Sequence, residues 1–178
     1  MKSSSIFNHL GRINALVNCA GIAYLARITD GNPADWEEMW RVNVMALTLC
    51  CQLSLRHFPE AGRPHRQCLL HERPSRAAHR WFLLPTKFAV RAVTDSLRNE
   101  LKAAGSSGPG LQCLARLRRH PAAGNQYFRG REDTLKGTRA HMKMLTPVDV
   151  AYCILSILEA PTHVEIGDIQ LRSSDQPQ

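Results

Sequence analysis

The chain has 178 residues, 44% of them hydrophobic, enough to bury one core and too few for two independent domains, so residues 1–178 are expected to form a single unit. No stretch approaches the ~20 apolar residues of a membrane span, and Met1 to Gly11 lack a signal-peptide run, so a cytoplasmic setting with no membrane partner is expected. The formal net charge of +8 would ordinarily suggest a nucleic acid, but its arginines lie in two patches with no interleaved aromatic platform, and no nucleic-acid partner is expected.

In chain order, Ile13-Asn14-Ala15-Leu16-Val17-Asn18 is a short, mostly apolar run closed by Cys19-Ala20-Gly21. It reads as a buried parallel strand ending at a tight turn. Asn32-Pro33 offers an N-cap with proline in the first turn, and Asp35, Glu37 and Glu38 suit the positive end of a helix dipole. A helix is expected from Asn32 to about Phe58. Trp36, Met39, Trp40, Val44, Leu47 and Cys51 recur at intervals that place them on one face.

Between Gly62 and Arg80, Arg63, Arg66, Arg73, Arg76 and Arg80 stand against a single acid, Glu72. Arg116, Arg118 and Arg119 stand against none between Gly105 and Gly124, so these two windows hold seven of the eight excess charges. Both lack the clear apolar periodicity of a strand or helix that has to pack, and read as foreign to the surrounding sequence. A second helix is expected from Thr86 to Ala104, with Phe88, Val90, Ala92, Val93 and Leu97 apolar and Gly105 as its stop. Thr146-Pro147-Val148-Asp149 opens a third as a capping-box-like start, running to about Glu159 before Pro161. Val164 to Leu171 reads as a terminal strand, and the polar tail from Arg172 to Gln178 is expected to fray.

Cys19, Cys50, Cys51, Cys68, Cys113 and Cys153 contain no CxxC pair and are expected to be small buried hydrophobes. His57, His65, His71, His79, His120, His141 and His163 form no i, i+4 pair, so no metal site is expected.

Asn18-Cys19-Ala20-Gly21 after a strand resembles the Asn-Asn-Ala-Gly motif of the short-chain dehydrogenase/reductase family. Trp36 followed by Arg41-Val42-Asn43-Val44 resembles that family's Trp…Val-Asn-Val helix, and Thr86-Lys87-Phe88-Ala89-Val90 with Leu97-Arg98-Asn99-Glu100-Leu101 is similar to the segment after its catalytic tyrosine. The run from Met144 to Ala151 and Ile166-Gly167-Asp168-Ile169-Gln170 resemble the family's member-eleven branch, which acts on keto-steroids and related carbonyls with NADPH. The resemblance implies an α/β fold, a Rossmann-type doubly wound parallel sheet, and here a partial one. Only Met1 to Arg12 precede the strand that corresponds to the fourth, so the first βαβ unit and its Gly-rich phosphate turn are expected to be missing.

The resemblance also assigns roles. Asn43 and Lys87 correspond to catalytic positions, and Asn18, Ala20, Gly21 and Lys87 to the border of an NADP site. The bland alternatives are a strand-closing Asn18 and Gly21, a locally bonded Asn43 and a structural Lys87. The family's proton donor is a tyrosine four residues before the lysine, where this chain has Leu83, and its serine would fall at Cys68 to Leu70. An NADP-dependent carbonyl or keto-steroid reductase is therefore implied by kinship, yet expected to be inactive. The alternative is a non-catalytic remnant, or a homo- or hetero-oligomer partner acting through the helices from Asn32 to Phe58 and Thr86 to Ala104. The substrate loop, from Asn125 to His141, matches no chemical motif.

Both arginine-rich windows admit one explanation. Leu69-Leu70-His71-Glu72-Arg73 has a codon choice that, read one nucleotide on, gives Ser-Ser-Met-Ser-Gly, the family's kind of serine segment. Leu114 to Pro121 likewise yields Ser-Pro-Gly-Ser-Val-Ala-Thr, resembling its Pro-Gly loop. Small insertions and deletions that shifted and then restored the reading frame are the expected cause.

Overall fold

The computed structural model describes residues 15–24, 26–56, 66–69, 82–104, 111–112, 145–161, 163, 164, 166, 167, 169 and 171. Three parallel strands, β1 (Ala15–Asn18), β2 (Arg66–Leu69) and β3 (Leu111–Gln112), lie in that spatial order. Ala15 pairs with Arg66 and Asn18 with Leu69, while Gln67 pairs with Leu111. Between β1 and β2 run α1 (Pro33–Trp40), a π-helical turn (Arg41–Met45) and α2 (Ala46–Leu55); α3 (Leu83–Ala103) joins β2 to β3, and α4 (Pro147–Leu158) follows.

The start of α1 follows from its residues. Asn32 is extended and its side chain accepts from the Ala34 N–H at 3.1 Å, with Pro33 in the first turn, where a missing N–H costs nothing. Asn32 was expected to open one continuous helix to Phe58, but the chain instead forms two α-helices with a π turn between them and ends the second at Leu55. Within the turn the N–H of Ala46 reaches back five residues to the Arg41 carbonyl. That extra residue rotates everything after it. Met39 and Val44, five apart, are therefore both buried, whereas Trp40, expected on the same face, is 40% exposed.

On α3 the inward face is Leu83, Thr86, Val90, Thr94 and Leu97. The helix starts three residues before the expected Thr86, because Pro85 lies in the first turn, where no intrahelical N–H bond is lost. Phe88 and Ala92, two of the apolar positions noted in the sequence, point outward, and Phe88 is 54% exposed. The main core joins the π turn and α2 to α3 through Val44, Leu47, Cys51, Val90 and Leu97, with Leu16 of β1 packed against it. Val90 is 1% exposed, and burying such a side chain contributes about 1.5–3 kcal/mol before chain entropy is set against it.

At α4, Thr146 accepts from the Asp149 N–H while the Asp149 carboxylate accepts from the Thr146 N–H at 2.7 Å, the reciprocal cap expected from the sequence. Val150 and Ile157 form a separate cluster with Ile166, Ile169 and Leu171. The expected terminal strand is not formed at Val164, Ile166, Gly167, Ile169 or Leu171. The apolar alternation there serves packing against α4 instead of a ladder.

Three further expectations are corrected. β1 is parallel but not buried on both faces, since Ala15 and Val17 are exposed. Each arginine-rich window contributes a strand, because a ladder is made of backbone groups and asks little of side-chain type. Cys19 and Cys50 are exposed, Cys153 is half-buried, and of the described cysteines only Cys51 is buried. The tail from Arg172 to Gln178, the loop from Asn125 to His141, Gly105, and the side chains of Cys68 and Cys113 lie outside what is described. Among the described residues no His, Cys, Asp or Glu cluster could hold a metal, and no helix is long and apolar enough to cross a membrane.

Candidate functional site

The carboxyl ends of parallel strands are where open α/β sheets place their ligand crevices, and the candidate residues converge there. β1 ends at Asn18; the tight turn expected after it is not formed, and Cys19, Ala20 and Gly21, all three exposed, continue as irregular chain. Leu69, within the segment where the resemblance implies a serine, pairs with Asn18 across the ladder. The backbone of that segment therefore borders the same strand end.

Asn43 sits in the π turn and is 3% exposed. Its Oδ1 accepts from the Ile22 N–H at 2.8 Å, and its Nδ2 donates to the Ile22 carbonyl at 2.9 Å. A single side-chain amide thus satisfies both polar groups of one residue in the loop after β1, as a strand partner would. The remaining Nδ2 proton goes to Thr86 Oγ1 at 3.3 Å. Gly21 lies directly above this arrangement. A Cβ built there would stand 3.3 Å from Asn43 Oδ1 and 3.8 Å from Lys87 Nζ. Lys87, half-buried in the first turns of α3, therefore carries its ammonium to Gly21, three residues beyond the strand end.

Of the residues marked in the sequence, Gly21, Asn43 and Lys87 are brought together. Asn18 is adjacent, but its amide donates to Cys51 Sγ at 3.6 Å, which ties β1 to α2. Ala20 contributes an exposed backbone position with a small side chain.

Leu83, one helical turn before Lys87, is 3% exposed and packs with Tyr24, Ala26 and Met39. Phe82 stacks on Trp36 beside this cluster at 5.5 Å between ring centroids. The Tyr24 hydroxyl donates to Glu38 at 2.8 Å. The position where the resemblance implies an acidic phenol is thus an apolar plug.

Two residues of the site, Thr86 and Ile22, carry no motif signal in the sequence. Thr86 is fully buried and links Asn43 to the Leu83 carbonyl, to which its hydroxyl donates at 2.8 Å. Ile22 supplies the backbone that Asn43 grips. The signal for Thr86 was its place in the stripe Leu83, Thr86, Val90, Thr94 and Leu97, a pattern obscured by expecting the helix to begin at Thr86.

Comparison with known proteins agrees with the resemblance. A sequence model of the short chain dehydrogenases matches residues 3–64. The chain is 31% identical over 183 residues to dehydrogenase/reductase SDR family member 11 of Bos taurus, covering 97% of this chain and 69% of the relative. The Homo sapiens protein of that name is 28% identical over 185 residues, with 97% and 68% covered. Among solved structures, the closed form of serine dehydrogenase complexed with NADP+ matches with a TM-score of 0.84 at 22% identity, over 98% of this chain and 72% of that one. An alcohol dehydrogenase from the archaeon Thermococcus sibiricus complexed with 5-hydroxy-NADP matches at 0.76 and 17% identity, over 98% and 69%. At such identities the structural likenesses speak for the fold alone, which is the Rossmann-type fold expected.

Proposed function

The chain belongs to the short-chain dehydrogenase/reductase family, and on that footing we propose that it is a member that keeps the nicotinamide end of an NADP site and has lost carbonyl reduction. The observation that carries this reading is the buried Leu83 set four residues before Lys87. Reduction of a carbonyl needs a proton delivered to the nascent alkoxide as the hydride arrives. A leucine side chain has no dissociable proton, and its neighbours Tyr24, Ala26 and Met39 leave it in an apolar cluster.

The residues present fit one end of the cofactor. With no Cβ at Gly21, a shelf stays open between the strand-end backbone and the Lys87 ammonium. Such a shelf suits the hydroxyl-bearing ribose beside a nicotinamide ring, with Lys87 donating to the hydroxyls and Gly21 allowing close backbone approach. The reduced nucleotide, NADPH, would supply the hydride when bound. Asn43 holds the loop at Ile22, and Asn18 fixes the strand end against α2. The NADP-type nucleotides named for two structural neighbours support this choice over other ligands.

The test combines binding with turnover. NADPH should quench the tryptophan fluorescence, Lys87→Ala should weaken that quenching, and no keto-steroid or dicarbonyl should be reduced. Turnover above the Lys87→Ala background would overturn the reading, and so would the absence of any NADPH binding.

A second reading, a partner for an intact relative or a second copy, is favoured by one surface. Met45, Leu49 and Leu53 recur every four residues along the π turn and α2 and are 47%, 50% and 39% exposed. Trp40 on α1 and Phe88 on α3 are exposed as well, so both helices marked from the sequence carry uncovered apolar residues. Sedimentation of the chain alone and mixed with an intact relative tests it. A monomer in both cases, unaffected by Leu49→Asp, would remove it.

A further inference from the structure

We propose that Thr86 is a positioning residue for Lys87, an inference that rests on reading Gly21, Asn43 and Lys87 as a nucleotide shelf. The problem it solves is a lysine on a weakly anchored helix start. The residue preceding α3, Phe82, offers no side-chain cap, and its N–H goes to the Ala26 carbonyl at 3.2 Å. The first turn of α3 is therefore held from outside the helix.

Thr86 provides that hold. Its hydroxyl has one proton, which goes to the Leu83 carbonyl at 2.8 Å, so its lone pairs are left to accept the Asn43 Nδ2–H at 3.3 Å. Asn43 in turn grips both backbone groups of Ile22. An unbroken series of bonds thus runs from the first turn of α3, through the π turn, to the residue next to Gly21. Lys87 Nζ stands over Gly21 itself. Thr86 and Lys87 are consecutive in one helix, so fixing the rotation of Thr86 against Asn43 fixes the direction in which Lys87 leaves the helix. The isosteric Thr86→Val keeps the volume but strands one Asn43 N–H in a buried place, and the turn must shift to relieve it. Thr86→Ser keeps the hydroxyl.

The experiment reads Lys87 without any ligand. The folded chain is treated briefly with an amine-acylating reagent, and labelling at Lys87 is quantified by peptide mass spectrometry relative to Lys102, exposed near the far end of the same helix. Thr86→Val should change the Lys87 to Lys102 ratio severalfold, and Thr86→Ser should restore it. Thr86→Ala, which adds no bulk, gives the same readout where the valine variant does not fold. A ratio unchanged in the valine or alanine variant, or not restored by serine, would overturn the proposal and leave Thr86 a packing residue. NADPH binding is measured separately, so its absence would count against the nucleotide reading and not against the role of Thr86.

Discussion

The side-chain amide of Asn18, the last residue of β1, donates to the buried thiol of Cys51 on α2 at 3.6 Å. Burial disfavours the thiolate, Cys50 alongside adds to this, and the Asn18 bond opposes both only in part, so the thiol is pushed up from 9.0 to about 11. The folded chain therefore keeps a proton that the unfolded chain releases at lower pH. That contribution to stability is fully present below about pH 9 and is lost as the pH rises towards about 11. The difference in urea midpoint between the parent and Cys51→Val should shrink or reverse across this window. Parallel curves for the two proteins from pH 8 to 11 would show that Cys51 does not carry the effect.

Two glycines should respond oppositely to alanine. At Gly31 the added Cβ would fall 2.2 Å from the Arg27 carbonyl oxygen and 2.9 Å from the Arg27 nitrogen, backbone atoms that cannot rotate away. The Gly31 N–H also donates to that carbonyl at 2.9 Å. Gly31→Ala should destabilise by about 1–3 kcal/mol, the cost of forcing a backbone to move. At Gly167 nothing among the described residues lies within 4 Å of an added Cβ, and alanine there should be neutral or add up to ~1 kcal/mol by restricting the unfolded chain. Equal denaturation midpoints for the two variants would contradict this geometry.

Much of the fold was legible because its signals are local. Asn32-Pro33 and Thr146-Pro147 cap helices within their own first turns, and the strand from Ala15 to Asn18 stops where the apolar run stops. The π turn was not legible, since it arises from a bond that skips one residue more than usual and leaves no apolar spacing to read until Met39 and Val44 are known to be buried together. The strands β2 and β3 were hidden in arginine-rich text because their pairing belongs to the backbone and to neighbours far along the chain. At the site, Gly21, Asn43 and Lys87 were marked by motif. Thr86 was not, since a threonine inside a helix gains its meaning only from Asn43, 43 residues away.

The reading-frame explanation for the arginine-rich windows is a statement about the gene. The codons for Leu69 to Arg73 and for Leu114 to Pro121 should be those whose one-nucleotide-shifted reading gives serine-bearing segments of the family kind. Sequencing the transcript decides it, and a single codon incompatible with the shifted reading in either window would remove the idea for that window. If it holds, charge-neutral replacement of Arg73, Arg76, Arg80, Arg116, Arg118 and Arg119 should leave any binding of NADPH unchanged.

Leu83→Tyr, the obvious repair, should fail. A phenol four residues before Lys87 restores the family's pattern in sequence, but the side chain at 83 packs into the cluster of Tyr24, Ala26 and Met39, where Leu83 is already 3% exposed. Tyrosine there is larger and brings a hydroxyl into apolar surroundings, which together cost about 1–3 kcal/mol of stability. A positioned general acid contributes roughly 10²–10⁴-fold only where it reaches the reacting oxygen, and a phenol held in that cluster would have to leave it to do so. The melting temperature of Leu83→Tyr should therefore fall while its loss of NADPH absorbance with keto-steroids and dicarbonyls stays at the Lys87→Ala background. Measurable turnover by Leu83→Tyr would show that residue 83 can turn from the core towards the Lys87 shelf, and that the missing proton donor is the one defect separating this chain from a working reductase.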